Sequence, residues 1–158
     1  MILLGIDPGL KGGISVYKDN NYFCYEMPVK KIKKDTVLDI KKVIDILKDC
    51  SGGKCFLERS QAMPKQGVVS MFNYGKGYGI LLGILYSFNI EVQEVTPQIW
   101  KKHFSLIKKE KIDSVSLAES KNPKEEFRTK RGRLLDGKAE SFLILEWGKS
   151  KEKKPFIK

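Results

Sequence analysis

The chain has 158 residues, 41% of them hydrophobic, which suits one domain with a sizeable core and argues against disorder. The net charge of +11 implies attraction to a polyanion, with nucleic acid ahead of an acidic membrane because no amphipathic anchor is present. No apolar run reaches membrane-spanning length, the N-terminus lacks a signal-peptide layout, and Cys24, Cys50 and Cys55 lack CxxC spacing, so a cytoplasmic protein with buried thiols is expected.

Ile2, Leu3, Leu4 and Ile6 read as a first strand, and Ile14, Val16 and Tyr17 as a second. Between them lies the turn-rich run Asp7-Pro8-Gly9-Leu10-Lys11-Gly12-Gly13. Asn20-Asn21 marks another turn, and Tyr22 to Met27 a third strand, completing an antiparallel meander. Asp35 or Thr36 is placed to cap a helix whose apolar positions are Val37, Leu38, Ile40, Val43, Ile44 and Leu47. Lys54 to Glu58 reads as a strand, Gln66 to Phe88 as a long glycine-bearing helix, and Ile90 to Val95 as a strand. Pro97 opens a helix, Ile107 to Ser120 forms another, 122–133 is a basic loop, and Arg133 to Lys149 is a closing amphipathic helix. This order describes an α/β protein: a mixed sheet flanked by helices, with the domain over 1–149 and a basic tail over 150–158.

Four acids adjoin core sequence. Asp7 ends the first strand and Glu58 ends Cys55-Phe56-Leu57-Glu58, while Asp136 and Glu140 share one helix face, one turn apart. Asp7 could simply cap its turn, Asp136 could complement the helix dipole, and Glu140 could pair with Lys138. If the first and fourth strands are neighbours, however, the four face one another across a cleft, and grouped carboxylates repel unless cations join them. Oxygen-only ligands suit Mg²⁺ or Mn²⁺ rather than zinc, and two such ions can clamp the attacking water and leaving oxygen of a phosphodiester.

In series, GIDPGLKGG, FLE followed by Met63-Pro64-Lys65-Gln66-Gly67, FNYGKGYG, VTPQIWKK and DGKAESFLIL resemble the RuvC-type Holliday-junction resolvases, closest to the phage and bacterial branch related to plastid resolvases. The opening motif alone is also found in sugar kinases and chaperone ATPases; the series, spanning Met1 to about Gly148, is specific. The resemblance implies a ribonuclease-H-like fold with a mixed five-stranded sheet, a homodimer, and metal-dependent symmetric nicking of four-way junction DNA to 5′-phosphate and 3′-hydroxyl ends. Asp7, Glu58, Asp136 and Glu140 match the family's metal-binding carboxylates, with two Mg²⁺ ions expected and Mn²⁺ able to substitute. Lys111, with Lys108 and Lys109 beside it, resembles a lysine that the family holds near the scissile phosphate. Where the bacterial branch has a junction-centre aromatic three positions after the second acid, this chain has Gln61.

Phe72, Tyr74 and Tyr78 are therefore the candidates for stacking on unpaired bases, against the alternative of core packing. Lys65, Gln66, Lys76, Lys101, Lys102, Arg128, Lys130, Arg131 and Arg133 are the other expected DNA contacts, and Ile80, Leu81, Ile84 and Leu85 the expected dimer interface. Trp100 and Trp147 read as core and His103 as structural. The rival readings are a kinase-like ATPase, for which the chain lacks a second lobe; a non-catalytic junction-binding protein; and a broader nuclease for flaps or RNA–DNA hybrids. No nucleotide cofactor or membrane partner is expected.

Overall fold

Two residues with left-handed backbone, Asp19 and Asn20 (φ 51° and 62°), make the tight turn on which the sheet is organised. Positive φ at both central positions matches the right-handed twist of the strands they join. The computed structural model describes residues 1–59 and 67–152. Strand β1 (Leu3–Asp7) pairs antiparallel with β2 (Gly13–Lys18), and β2 with β3 (Asn21–Glu26), as the alternation predicts.

The next segment departs from expectation. Residues 35–38 are not the start of a helix: β4 (Val29–Ile32) and β5 (Asp35–Leu38) form a separate two-stranded hairpin. Helix α1 (Ile40–Leu47) follows, with the Asp39 carboxylate accepting from the Lys42 backbone N–H, so Asp39 is the cap in place of Asp35 or Thr36. After a 3-10 turn at Lys48–Cys50 come β6 (Lys54–Glu58), α2 (Val68–Ser87), β7 (Glu91–Val95), α3 (Pro97–His103), α4 (Lys111–Lys121) and α5 (Asp136–Glu152). Helix α4 starts four residues later than predicted because Glu110 and Asp113 form a reciprocal capping box there. Helix α5 starts at Asp136 rather than Arg133, since Leu134 bridges back to Arg128.

The main sheet has the order β3-β2-β1-β6-β7, with β1, β6 and β7 mutually parallel and β2 antiparallel to both its neighbours. Alternation along β1 divides the core. Leu4 and Ile6 join Ile14, Val16, Val43, Leu47, Leu81 and Leu85 on the α1/α2 side. Leu3 joins Phe56, Trp100, Val115, Phe142 and Leu143 on the α3/α4/α5 side. Each fully buried Leu, Ile or Phe contributes about 1.5–3 kcal/mol. The three cysteines are free and buried. No described helix is long and apolar enough to cross a membrane.

Helix α5 lies directly on β1 because glycine allows it. A Cβ on Gly5 would stand 2.3 Å from the Ser141 carbonyl oxygen, and one on Gly137 would stand 2.0 Å from that of Lys11. The inner face of α2 corrects the interface expectation: Leu81, Ile84 and Leu85 are buried in the chain's own core, with Ile80 packed against it. The outward face of α2 instead carries Val68, Val69, Phe72 and Tyr86, with open space around Gly75, Gly79 and Gly83.

Candidate active site

Asp7 is the last residue of β1 and Glu58 the last of β6, and these two strands are parallel neighbours. Both carboxylates therefore emerge at the same end of the sheet. Asp136 opens α5 and Glu140 follows one turn later, on a helix held to β1 at Gly5 and to the Lys11-Gly12 turn at Gly137. All four acids line a single cleft of about 320 Å³, together with Lys11, Lys101, Lys109, Lys111 and Ser114. The four acids expected from sequence to face one another thus do so.

The arrangement is electrostatically costly. Burial pushes the Asp7 carboxyl up to about 7, with the charges of Glu58 and Glu140 adding to the effect and the Gly9 N–H, 3.4 Å from Oδ1, opposing it. Burial also raises Glu58, against a hydrogen bond from Trp100 Nε1 to Glu58 Oε2 at 2.7 Å. Lysines supply the compensating charge. Lys101 Nζ lies 3.3 Å from Glu140 Oε1, and Lys111 Nζ donates to Asp136 Oδ2, which holds the Lys111 ammonium above its usual range. Ser114 Oγ also reaches Glu140 Oε1, at 3.3 Å.

With the side chains drawn to these internal partners, no group of three Asp, Glu, His or Cys residues stands in metal-ligating geometry among the described residues. The donor set is nonetheless all oxygen, and Asp7 is raised first by its burial and then by the charges of Glu58 and Glu140, which Lys101 only partly offsets. Hard divalent cations fit that set; zinc, which prefers nitrogen and sulfur, does not.

Trp100 and Ser114 are the residues that sequence reasoning missed. Trp100 is fully buried, as read, but a buried indole N–H needs an acceptor, and here that acceptor is a site carboxylate. Among the expected DNA contacts, Lys101 and Lys109 line the cleft, while Lys102 and Lys108 are exposed and do not. Phe72 is 71% exposed and Lys76 is exposed, whereas Tyr74 and Tyr78 are half-buried and Tyr78 donates to Glu94. Lys130 and Arg131 are exposed, Arg128 is bound to Glu119, and Arg133 bridges both oxygens of Glu26 at 3.1 and 3.3 Å. Gln61, Lys65 and Gln66 lie outside the described residues.

The sheet order and the helices that flank it define a ribonuclease-H-like α/β fold. No protein-family profile matches the sequence, and no curated protein matches it. Among solved structures, RuvC of Thermus thermophilus matches with a TM-score of 0.63 at 15% identity, over 96% of this chain and 97% of its own. RuvC from the same organism in complex with a Holliday junction substrate gives 0.59 at 15% identity, covering 97% of each chain. The yeast mitochondrial Holliday junction resolvase Ydc2 gives 0.47 at 14% identity, over 90% of this chain and 75% of its own. The fold of this chain is the one found in RuvC.

Proposed function

We propose that this protein is a structure-selective endodeoxyribonuclease that resolves four-way DNA junctions by metal-dependent, symmetric nicking. The observation that carries the reading is the convergence of Asp7, Glu58, Asp136 and Glu140 in an open, lysine-lined cleft on a chain of net charge +11. Gathering acids in one place on a polycation has no folding rationale, but it suits a site that must hold cations against a polyanionic backbone. The shared fold supports it, since RuvC has been solved with a Holliday junction substrate.

Asp7, Glu58, Asp136 and Glu140 would hold the divalent ions, Mg²⁺ or Mn²⁺, which when bound supply Lewis-acid activation of water and charge neutralisation at the scissile phosphate. The rest falls to this chain's own groups. Trp100 fixes one oxygen of Glu58, leaving the other directed elsewhere. Ser114 steadies Glu140. Lys101 and Lys111, now paired with Glu140 and Asp136, stand where they would meet phosphate oxygens and stabilise charge that develops in the transition state. A two-fold homodimer would present one cleft to each of two opposed strands, and the outward apolar and glycine face of α2 is the surface available for it.

The test is cleavage of a mobile four-way junction and of a matching linear duplex, with Mg²⁺ or Mn²⁺, beside Asp7→Asn. Paired nicks in opposed strands of the junction alone, lost in the variant with binding retained, would support the proposal. Equal cutting of both substrates would replace it with a broader nuclease, and binding without cutting under any metal would replace it with a junction-binding protein.

A further inference from the structure

The β4–β5 hairpin lies outside the main sheet, with Leu38 of β5 buried in the α1/α2-side core, yet Lys30, Lys31, Lys33 and Lys34 place four ammonium groups within five of its residues. Residues 30–42 hold six lysines (Lys30, Lys31, Lys33, Lys34, Lys41, Lys42) against two aspartates, Asp35 and Asp39. Every residue of β4 is exposed, as are Lys33 and Lys34 in the turn. No described carboxylate forms an ion pair with Lys30, Lys31, Lys33 or Lys34; of the six lysines only Lys42 is paired, with Asp39. Stability does not explain this. Lys30 and Lys31 stand opposite Val37 and Thr36, with no acid across from them to offset the mutual repulsion of four neighbouring ammonium groups, and Lys41 and Lys42 sit in the first turn of α1, where the helix dipole disfavours cations. Lys33 also holds a left-handed backbone (φ 56°) at a turn position where glycine or asparagine would be easier.

The location gives this charge a use. Asp7, Gly13 and Glu26 form one row across β1, β2 and β3 at the end of the sheet where the cleft opens. With strands about 4.8 Å apart, the Glu26 backbone stands about 10 Å from that of Asp7. The chain then turns into the hairpin: the Met27 N–H donates to the carbonyl of Gly12, a cleft residue, at 2.9 Å, and the Asp39 N–H donates to the Pro28 carbonyl at 2.9 Å, closing the hairpin's base. On the other side, Arg133 clamps Glu26 and brings the basic 128–133 turn to the same row.

From this we infer that the β4–β5 hairpin is a second nucleic-acid contact, a lysine arm that grips the phosphate backbone of a duplex leading away from the cleft. The inference rests on the reading of the cleft as a DNA site. Each hairpin strand, four residues long, reaches about 13 Å, while a duplex presents a phosphate charge about every 1.7 Å of its axis, so several lysines can meet phosphates together. Such contacts carry no sequence information and set affinity and register instead.

The experiment replaces Lys30, Lys31, Lys33 and Lys34 with glutamine in the non-cleaving Asp7→Asn protein and measures junction and linear-duplex binding across a KCl series. A control removes four lysines from other elements (Lys18, Lys48, Lys121, Lys151). Loss of about three phosphate contacts lowers the slope of log affinity against log salt by about 2–3, with affinity falling about tenfold or more at moderate salt. The deficit shrinks on junctions with short arms that cannot reach the hairpin, and the control leaves the slope near its starting value. An unchanged slope, or an equal loss in the control, overturns the inference. So does loss of binding to phosphatidylserine vesicles with DNA binding intact, which would make the hairpin a membrane contact. If the hairpin variant loses duplex and junction binding while the wild-type protein cuts neither under any metal, the arm stands and the nuclease reading falls. If cutting is present and the salt slope does not move, the reverse holds.

Discussion

Replacing Asp7 with asparagine should make the metal-free protein more stable while removing its activity. The carboxyl has an ordinary value of 3.8 and is pushed up to about 7 by burial and by Glu58 and Glu140. A group whose folded value is raised favours the folded state while it is protonated, and it loses that contribution as pH climbs from the unfolded value through the folded one. The window is therefore about pH 4 to 7, and above it the ionised Asp7 opposes folding by on the order of 4 kcal/mol. Asparagine keeps the shape and can still accept from the Gly9 N–H without the charge. At pH 8, without divalent ions, the variant should gain about 2–4 kcal/mol, or about 5–12 °C in Tm for a chain of this size. At pH 5 the gain should fall below about 2 kcal/mol, because wild-type Asp7 is then protonated in the fold. Millimolar Mn²⁺ should narrow or reverse the difference at pH 8, since only the wild-type site binds it fully. Calorimetric melts of both proteins at the two pH values, with and without Mn²⁺, decide the matter. A variant less stable than wild type at pH 8, or a difference that does not move with pH, would refute the electrostatic account of the cleft.

Trp100→Phe removes the donor to Glu58 and keeps most of the ring, so Mn²⁺ affinity by titration calorimetry should fall about tenfold, with no further loss in a Glu58→Gln background. Equal losses in both backgrounds would reduce Trp100 to packing. Gly137→Ala puts a methyl group 2.0 Å from the Lys11 carbonyl oxygen and must shift the first turn of α5; urea melts should show a loss of about 1–3 kcal/mol, accompanied by loss of cleavage. Unaltered stability would mean that the helix start is not wedged against the turn. EDTA should stop cleavage without lowering the unfolding midpoint below that of the metal-free protein, and cutting that persists in EDTA would exclude metal-dependent chemistry.

The four acids were legible because each stands beside sequence that can only be core: Leu3–Ile6 before Asp7, Cys55–Leu57 before Glu58, and Phe142–Leu145 beyond Glu140. Burial of the flanking residues fixes where the polar one must emerge. The hairpin at 29–38 was not legible, because Val37, Leu38, Ile40, Val43, Ile44 and Leu47 satisfy a helical period and β4, exposed throughout, shows no strand-like alternation of burial. Long-range pairs such as Arg133 with Glu26 leave no local trace at all. Trp100 was half legible: its ring obeys the apolar rule, but the partner of its N–H depends on α3 meeting β6 in space.

Adjacent residues of one short helix hold two acids from different elements: Trp100 ties Glu58 of β6, and Lys101 ties Glu140 of α5. Together with Lys111 on Asp136, the chain carries its own provisional counter-ions. The consequence, if the cleft holds cations as proposed, is a separation in time between synthesis and service: unlike a small zinc domain, which stays unfolded until its ion arrives, this chain would fold before any ion is bound.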